Sequence, residues 1–245
     1  MDKFIKNKIT VTYMNLKDLS YSTVSEIPEL LYEACGYKMG ENCPNSVEGW
    51  SVFGRDDRIK GKDKHGWFYA DITTPKTENG EQIELEFRTG LEEKGIWDAL
   101  NPQGLLYLNG KVVQGIDMNH YTAVVEPDTE YKMFVYFYTG MNDCDVTFRI
   151  NINKVDLRIR ELYYDLKVAM DAAECYAEDD YTFMKTAKVL EQVCNRIDFR
   201  NPMSEEFYAS IADAKEYMQK EYYEKICGNS DAIVSYIGHT HIDIA

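Results

Sequence analysis

The chain has 245 residues, enough for one or two domains, and 44% of them are hydrophobic, 28% charged and 13% aromatic, as in globular proteins that build their own cores. A net charge of −15 repels phosphate, and the densest basic stretch, Arg55 to Lys64, is interrupted by Asp56, Asp57 and Asp63, so nucleic acid and anionic membrane are excluded as expected partners. No apolar run approaches the roughly 18 residues a spanning helix needs, and none follows the charged first eight residues, so the expectation is a cytoplasmic chain without a signal peptide. The six cysteines (Cys35, Cys43, Cys144, Cys175, Cys194 and Cys227) include no C-x-x-C pair and read as buried or incidental thiols.

Taken in chain order, residues 1–45 form a weakly patterned N-terminal segment, with a short helix expected over Glu26 to Ala34. Residues 46–155 alternate at period two between frequent turns, which predicts an antiparallel β-sandwich. Phe68, Ala70 and Ile72 alternate up to Thr74-Pro75, and Ile83, Leu85 and Phe87 alternate up to Thr89-Gly90. Asn109-Gly110, between Leu106-Tyr-Leu108 and Lys111-Val-Val113, supplies the positive φ angles of a two-residue hairpin turn. Met133 to Tyr138 is an aromatic strand, and Val146, Phe148, Ile150 and Ile152 are expected on one face of another.

From residue 156 to 228 the period becomes helical. Ile159, Leu162, Tyr163, Leu166, Ala169, Met170 and Ala173 share a face, a second helix covers Tyr181 to Ile197, and a third runs from Asn201-Pro202 to about Ile226. Cys227-Gly228 ends it. Residues 229–245 begin something new: the apolar run 232–238 resembles a parallel strand buried on both faces and leads into His239-Thr-His241-Ile-Asp243.

In an extended segment residues 239, 241 and 243 point to one side. Two imidazoles and a carboxylate at a strand end have the ligand types that zinc accepts, and strand ends are where α/β folds place their sites. The competing reading is a polar strand end whose histidines are satisfied by hydrogen bonds. Elsewhere, Asp56 and Asp57 read as a solvated turn, and His65 and His120 as isolated surface or loop residues. Asp117, Asn119 and His120 form a polar cluster that could contact calcium or sugar. Of the tryptophans, Trp67 reads as core, while Trp97, flanked by Gly95 and Asp98, is the candidate for stacking on a sugar, although packing is the commoner role of such a ring.

Gly238-His-Thr-His-Ile-Asp-Ile-Ala245 resembles the opening of the catalytic domain of the glycoside hydrolase family 38 α-mannosidases. Phe53-Gly-Arg-Asp-Asp57, Glu86-Phe-Arg-Thr-Gly90, Asn101-Pro-Gln103, Leu106-Tyr-Leu-Asn-Gly110, Gln114-Gly-Ile-Asp117 and Arg160-Glu-Leu-Tyr-Tyr-Asp-Leu-Lys-Val-Ala169 are similar to the N-terminal region of that family's bacterial and cytosolic branch. The resemblance covers residues 46–245. It implies a galactose-binding-like jelly roll, an α-helical region, and the first strand of an α/β catalytic barrel cut off as it begins. It also implies a retaining α-mannosidase that acts on terminal α-mannosides of oligosaccharides through one zinc. His241 and Asp243 would be zinc ligands and His239 a supporting or structural residue, while the nucleophile and acid/base carboxylate would lie beyond residue 245. On this reading the chain alone is inactive and holds no zinc, its partner is an α-mannoside oligosaccharide, and it could self-associate. The alternative is a carbohydrate-binding, structural or oligomerisation sandwich attached to another metallohydrolase.

Overall fold

The computed structural model describes residues 3–37, 43–78, 80–91, 102–177 and 179–228. Residues 17–160 form one compact unit, and the described parts of 3–16 and 161–228 form a second.

The first unit is a two-sheet antiparallel sandwich. Its six-stranded sheet runs in the order β3 (Ser51–Gly54), β2 (Glu29–Cys35), β5 (His65–Thr73), β10 (Glu130–Tyr138), β7 (Gln103–Leu108), β8 (Lys111–Ile116). The four-stranded sheet runs β1 (Tyr21–Glu26), β12 (Arg149–Asp156), β6 (Glu81–Arg88), β9 (Thr122–Val125). A two-stranded piece pairs β4 (Ile59–Lys60) with β11 (Asp145–Val146).

Alternation assigns the faces. Phe68, Ala70 and Ile72 of β5, Met133, Val135 and Phe137 of β10, and Leu106 and Leu108 of β7 point inward from the larger sheet. They meet Ile83, Leu85 and Phe87 of β6 and Ile150 and Ile152 of β12 in a single core. Val146 and Phe148 join the same core, so the four residues expected on one face are buried together. Asn109 and Gly110 have φ of 51° and 77°, and β7 and β8 flank them, which is the expected hairpin.

Two readings of the N-terminal segment are corrected. The expected helix over Glu26 to Ala34 is instead the end of β1 and most of β2. Residues 21–35, placed outside the sandwich at sequence level, supply a strand to each of its sheets. Leu30 enters the core and the Tyr32 ring lies 4.9 Å from that of Phe68, so pairing with β5 decides the conformation where local propensity is neutral. The unpatterned start of the chain holds α1 (Lys3–Leu19), whose buried residues Ile9, Thr12 and Leu16 recur at helical spacing.

The outer face of the four-stranded sheet is polar. Glu84, 4% exposed, accepts both Arg160 guanidinium nitrogens, Nη1 at 2.5 Å and Nη2 at 3.0 Å, and the Gln82 amide at 2.6 Å. Glu86 accepts from Asn151 and Asn153 at 3.0 and 3.2 Å. β12 passes into α2 (Leu157–Ala173) without a loop, and Asp156 accepts from the Arg158 backbone N–H at 3.0 Å at that joint.

In the second unit the expected helices are present. α3 (Tyr181–Arg196) starts at Asp180, whose carboxylate accepts from the Thr182 N–H at 2.6 Å. α4 (Glu205–Met218) starts at Ser204, which leaves Pro202 outside the helix it was expected to open. A π-helical segment, Gln219–Cys227, follows and ends at Gly228 with φ of 59°. No helix among the described residues is long and apolar enough to cross a membrane.

Candidate functional site

The outward face of the larger sheet carries a second aromatic layer. Trp67 and Tyr69 of β5, Phe134 and Tyr136 of β10, and Leu105 and Tyr107 of β7 occupy the positions that alternate with the core residues. Val47 and Trp50 pack over part of this layer, with the Trp50 and Phe134 rings edge to face at 6.2 Å. Where that cover stops, at the start of β5 and the end of β10, the layer opens into a pocket of about 330 Å³. The volume lies at the small end of the ~300–1,000 Å³ typical of small-molecule sites.

Strand register builds this pocket. Tyr138 pairs with His65 on one side and with Gln103 on the other, and Tyr136 pairs with Trp67 and Leu105. Tyr37, two residues past β2, turns its ring edge to His65 at 5.5 Å. Asp63 completes the rim from a turn, with φ of 55° and its N–H donating to the Gly140 carbonyl at 2.9 Å. The His65 ring lies nearly parallel to Tyr138 at 4.7 Å and to Tyr136 at 5.9 Å. Three tyrosines therefore surround an imidazole whose side chain is only 9% exposed.

The polar groups gather around His65. Asp63 Oδ1 lies 3.6 Å from His65 Nε2, just beyond direct hydrogen-bond reach. His65 Nδ1 is hydrogen-bonded to the Tyr136 hydroxyl at 2.8 Å. Desolvation, together with the charge and hydrogen bond of Asp63, raises Tyr138 above its ordinary phenol range, so at neutral pH it remains a neutral donor. The pocket thus offers flat aromatic faces beside hydroxyl, amide, imidazole and carboxylate groups. Apolar walls with a few oriented polar groups suit a small polyhydroxylated ring, whose C–H face packs on an aromatic and whose hydroxyls both donate and accept.

Gly66 sets the geometry at the first residue pair of β5. A Cβ there would lie 2.7 Å from the Tyr32 hydroxyl and 2.8 Å from its Cζ, inside contact distance. The Gly66→Ala variant is expected to lose about 1–3 kcal/mol by overpacking, measured as a shift in the urea unfolding midpoint, with His65 displaced along with its strand.

The residues singled out from sequence fare differently. His239, His241, Asp243, the run 232–238 and Trp97 lie outside the described residues. Among the described residues no group of three or more His, Cys, Asp or Glu side chains could hold a metal ion. Asp117 is occupied by its own turn: Oδ1 accepts from the N–H groups of Asn119 and His120 at 2.7 and 2.8 Å and lies 3.0 Å from the His120 ring. Asp57 likewise accepts from the Gly54 N–H at 2.7 Å. His65 is the correction: read as an isolated loop or surface residue, it is instead a strand residue at the centre of the pocket, because β5 begins three residues before Phe68, where the alternation was first counted. Tyr37, Asp63, Gln103, Tyr136 and Tyr138 were also missed. The signal available was that the strand around Trp67 and the strand 133–138 carry rings on both faces, one more set than a core can absorb.

Fold and site together define a two-sheet antiparallel sandwich with an aromatic pocket on the outer face of its larger sheet. No family model matches the chain, and a search of curated proteins gave no match. Among solved structures the chain is similar to the β-glucuronidase of Faecalibacterium prausnitzii, with a TM-score of 0.36 and 8% identity over 56% of this chain and 32% of that one. It is similar to the Ruminococcus gnavus β-glucuronidase in complex with D-glucuronic acid, with a TM-score of 0.37 and 8% identity over 56% and 30%. For a family 35 carbohydrate binding module from Clostridium thermocellum the TM-score is 0.22 and the identity 12%, over 54% of this chain and 98% of that one. The chain spans about a third of the length of the two glucuronidases. Likeness of this degree adds nothing to the architecture read from the strand pairing.

Proposed function

We propose that this chain is the carbohydrate-binding, non-catalytic front part of a glycosidase, and that the Tyr37, His65, Tyr136 and Tyr138 pocket is where it holds sugar. The observation that carries this reading is the ring of aromatic faces around an oriented His65, open to solvent at one end of the sheet. The motifs from Phe53 to Asp57 and from Gly238 to Ala245 support a zinc-dependent retaining α-mannosidase as the parent, with terminal α-mannosides of oligosaccharides as its substrate. His241 and Asp243 are proposed to hold the zinc, which would orient and polarise the substrate, and residues 229–245 to begin the catalytic domain. Retaining chemistry needs two carboxylates about 5–5.5 Å apart, and in that family both lie beyond this chain, so an aryl α-mannoside should show no turnover.

The binding reading is tested by titrating the chain with methyl α-mannoside and mannose oligosaccharides. Trp67 lies 5.1 Å from the Tyr136 ring, so its fluorescence should report occupancy. Tyr136→Ala is expected to weaken binding about tenfold, which is 1.4 kcal/mol, with its circular dichroism unchanged. Wild-type affinity in that variant would remove the pocket from the function.

A further inference from the structure

Imidazole is the side chain that ordinarily changes charge between about pH 5 and 8. His65 sets one at the centre of the pocket, with only 9% of its side chain exposed. β10 places the Tyr136 and Tyr138 rings nearly parallel to it, and Tyr37, after β2, stands edge to face with it. β2 itself pairs Cys35 with His65, and exposed Glu33 lies two residues back on the same face. The turn before β5 contributes the Asp63 carboxylate, 3.6 Å from Nε2, with exposed Lys62 and Lys64 on either side of it. The Lys64 side chain lies over Gly61. β7 adds the uncharged Gln103, Gly104 and Leu105 to the lining. Water and salt screen the exposed charges more than the ring's own short contacts.

The decisive contact is the 2.8 Å hydrogen bond between Nδ1 and the Tyr136 hydroxyl. A neutral imidazole can accept there; a protonated one carries an N–H on both nitrogens and only donates. Beside a protonated ring the Tyr136 oxygen must accept, and its own proton turns away from the ring. The pocket then shows a ligand a changed set of donors and a half-hidden positive charge. The flanking tyrosine faces and Asp63 make that charge tolerable while water still reaches the pocket. A sugar seated over the ring removes the water, and the loss penalises the charged form. We infer that His65 is a pH switch on the sugar pocket: the neutral ring holds ligand and the protonated ring releases it. The inference rests on the sugar-binding reading above and adds its regulation. Because the bound state disfavours the proton, affinity is highest above the imidazole range and falls as pH drops through it. A ligand that lowers the ring's midpoint by about one pH unit loses about tenfold in affinity across that range.

The test is calorimetric titration of the chain with methyl α-mannoside and mannose oligosaccharides at about pH 8, 6.5 and 5, which spans the imidazole range. NMR of the His65 ring protons, with and without sugar, gives the midpoint directly. The His65 signals are assigned by their loss in His65→Gln, whose amide keeps a partner for the Tyr136 hydroxyl. Wild-type affinity should fall about tenfold from the highest pH to the lowest, and sugar should lower the His65 midpoint by about one unit. In His65→Gln the affinity should be level with pH. Sugar binding that is level with pH in the wild type, or a slope that persists in His65→Gln, overturns the switch and leaves the sugar pocket standing. If the variant binds too weakly to titrate, the wild-type midpoint decides: one that sugar leaves in place or raises overturns the switch. Binding of no sugar at any pH overturns the sugar reading, and the switch falls with it.

Discussion

Phe68→Ala is expected to cost about 3–5 kcal/mol, a large share of the ~5–15 kcal/mol that holds a typical domain together. Phe68 is fully buried and stacks on Phe148 at 4.3 Å, with the rings of Phe53 and Phe137 edge to face at 5.1 and 5.6 Å. Phe148 in turn lies 6.2 Å from Phe87 of the opposite sheet, so one ring ties the two layers through a chain of aromatic contacts. Truncation leaves a cavity that neighbours in two sheets cannot collapse to fill. Urea unfolding should show the loss as a lower midpoint. Phe68→Leu, which keeps most of the volume, should lose about 1.5 kcal/mol or less. Equal losses in the two variants would mean that the ring contacts, and not the filled volume, account for the contribution of Phe68.

Arg160→Met is expected to destabilise the sandwich by about 3 kcal/mol, the lower end of what a broken buried ion pair costs. The Glu84 side chain is 6% exposed and depends on the Arg160 guanidinium for two of its hydrogen bonds. Removing the cation strands a carboxylate among Gln82, Glu86 and Asn153, where water has little access. Arg160 is a quarter exposed, so solvent recovers part of the loss. Adding Glu84→Met to the variant removes the stranded charge and should restore most of the stability. A double variant as unstable as the single one would show that the pair gives net stability and is not merely costly to break.

The parts of the fold legible in sequence are those governed by short-range rules. Asn109-Gly110 was readable because few dipeptides take two positive φ values. Ile83, Leu85 and Phe87 were readable because one face of β6 is apolar and the other carries Gln82, Glu84 and Glu86. β1 was illegible for the opposite reason. All but one of its residues are exposed, so no apolar period marks it, and only pairing with β12 makes it a strand. The pocket was illegible because its members come from four places in the chain, and a register shared among β2, β5, β10 and β7 is not written in any one of them. His65 and Tyr138 sit 73 positions apart in sequence yet opposite each other in the sheet.

The pairing of Tyr21 with Val155 also sets an order of events during synthesis. Of the twelve strands among the described residues, the one made first waits for the one made last, so at ~5–20 residues per second β1 leaves the ribosome on the order of ten seconds before its partner exists. Through that interval one long edge of β6 lacks its neighbour as well, since β12 lies between β1 and β6. An apolar strand kept waiting would pair with whatever edge it met first. β1 reads Tyr-Ser-Thr-Val-Ser-Glu, and its serines, threonine and glutamate let water satisfy the backbone until β12 arrives. The polarity that hides this strand from a search for hydrophobic period is what lets the nascent chain carry it unpaired, and the sandwich closes only when nearly all of its sequence is present.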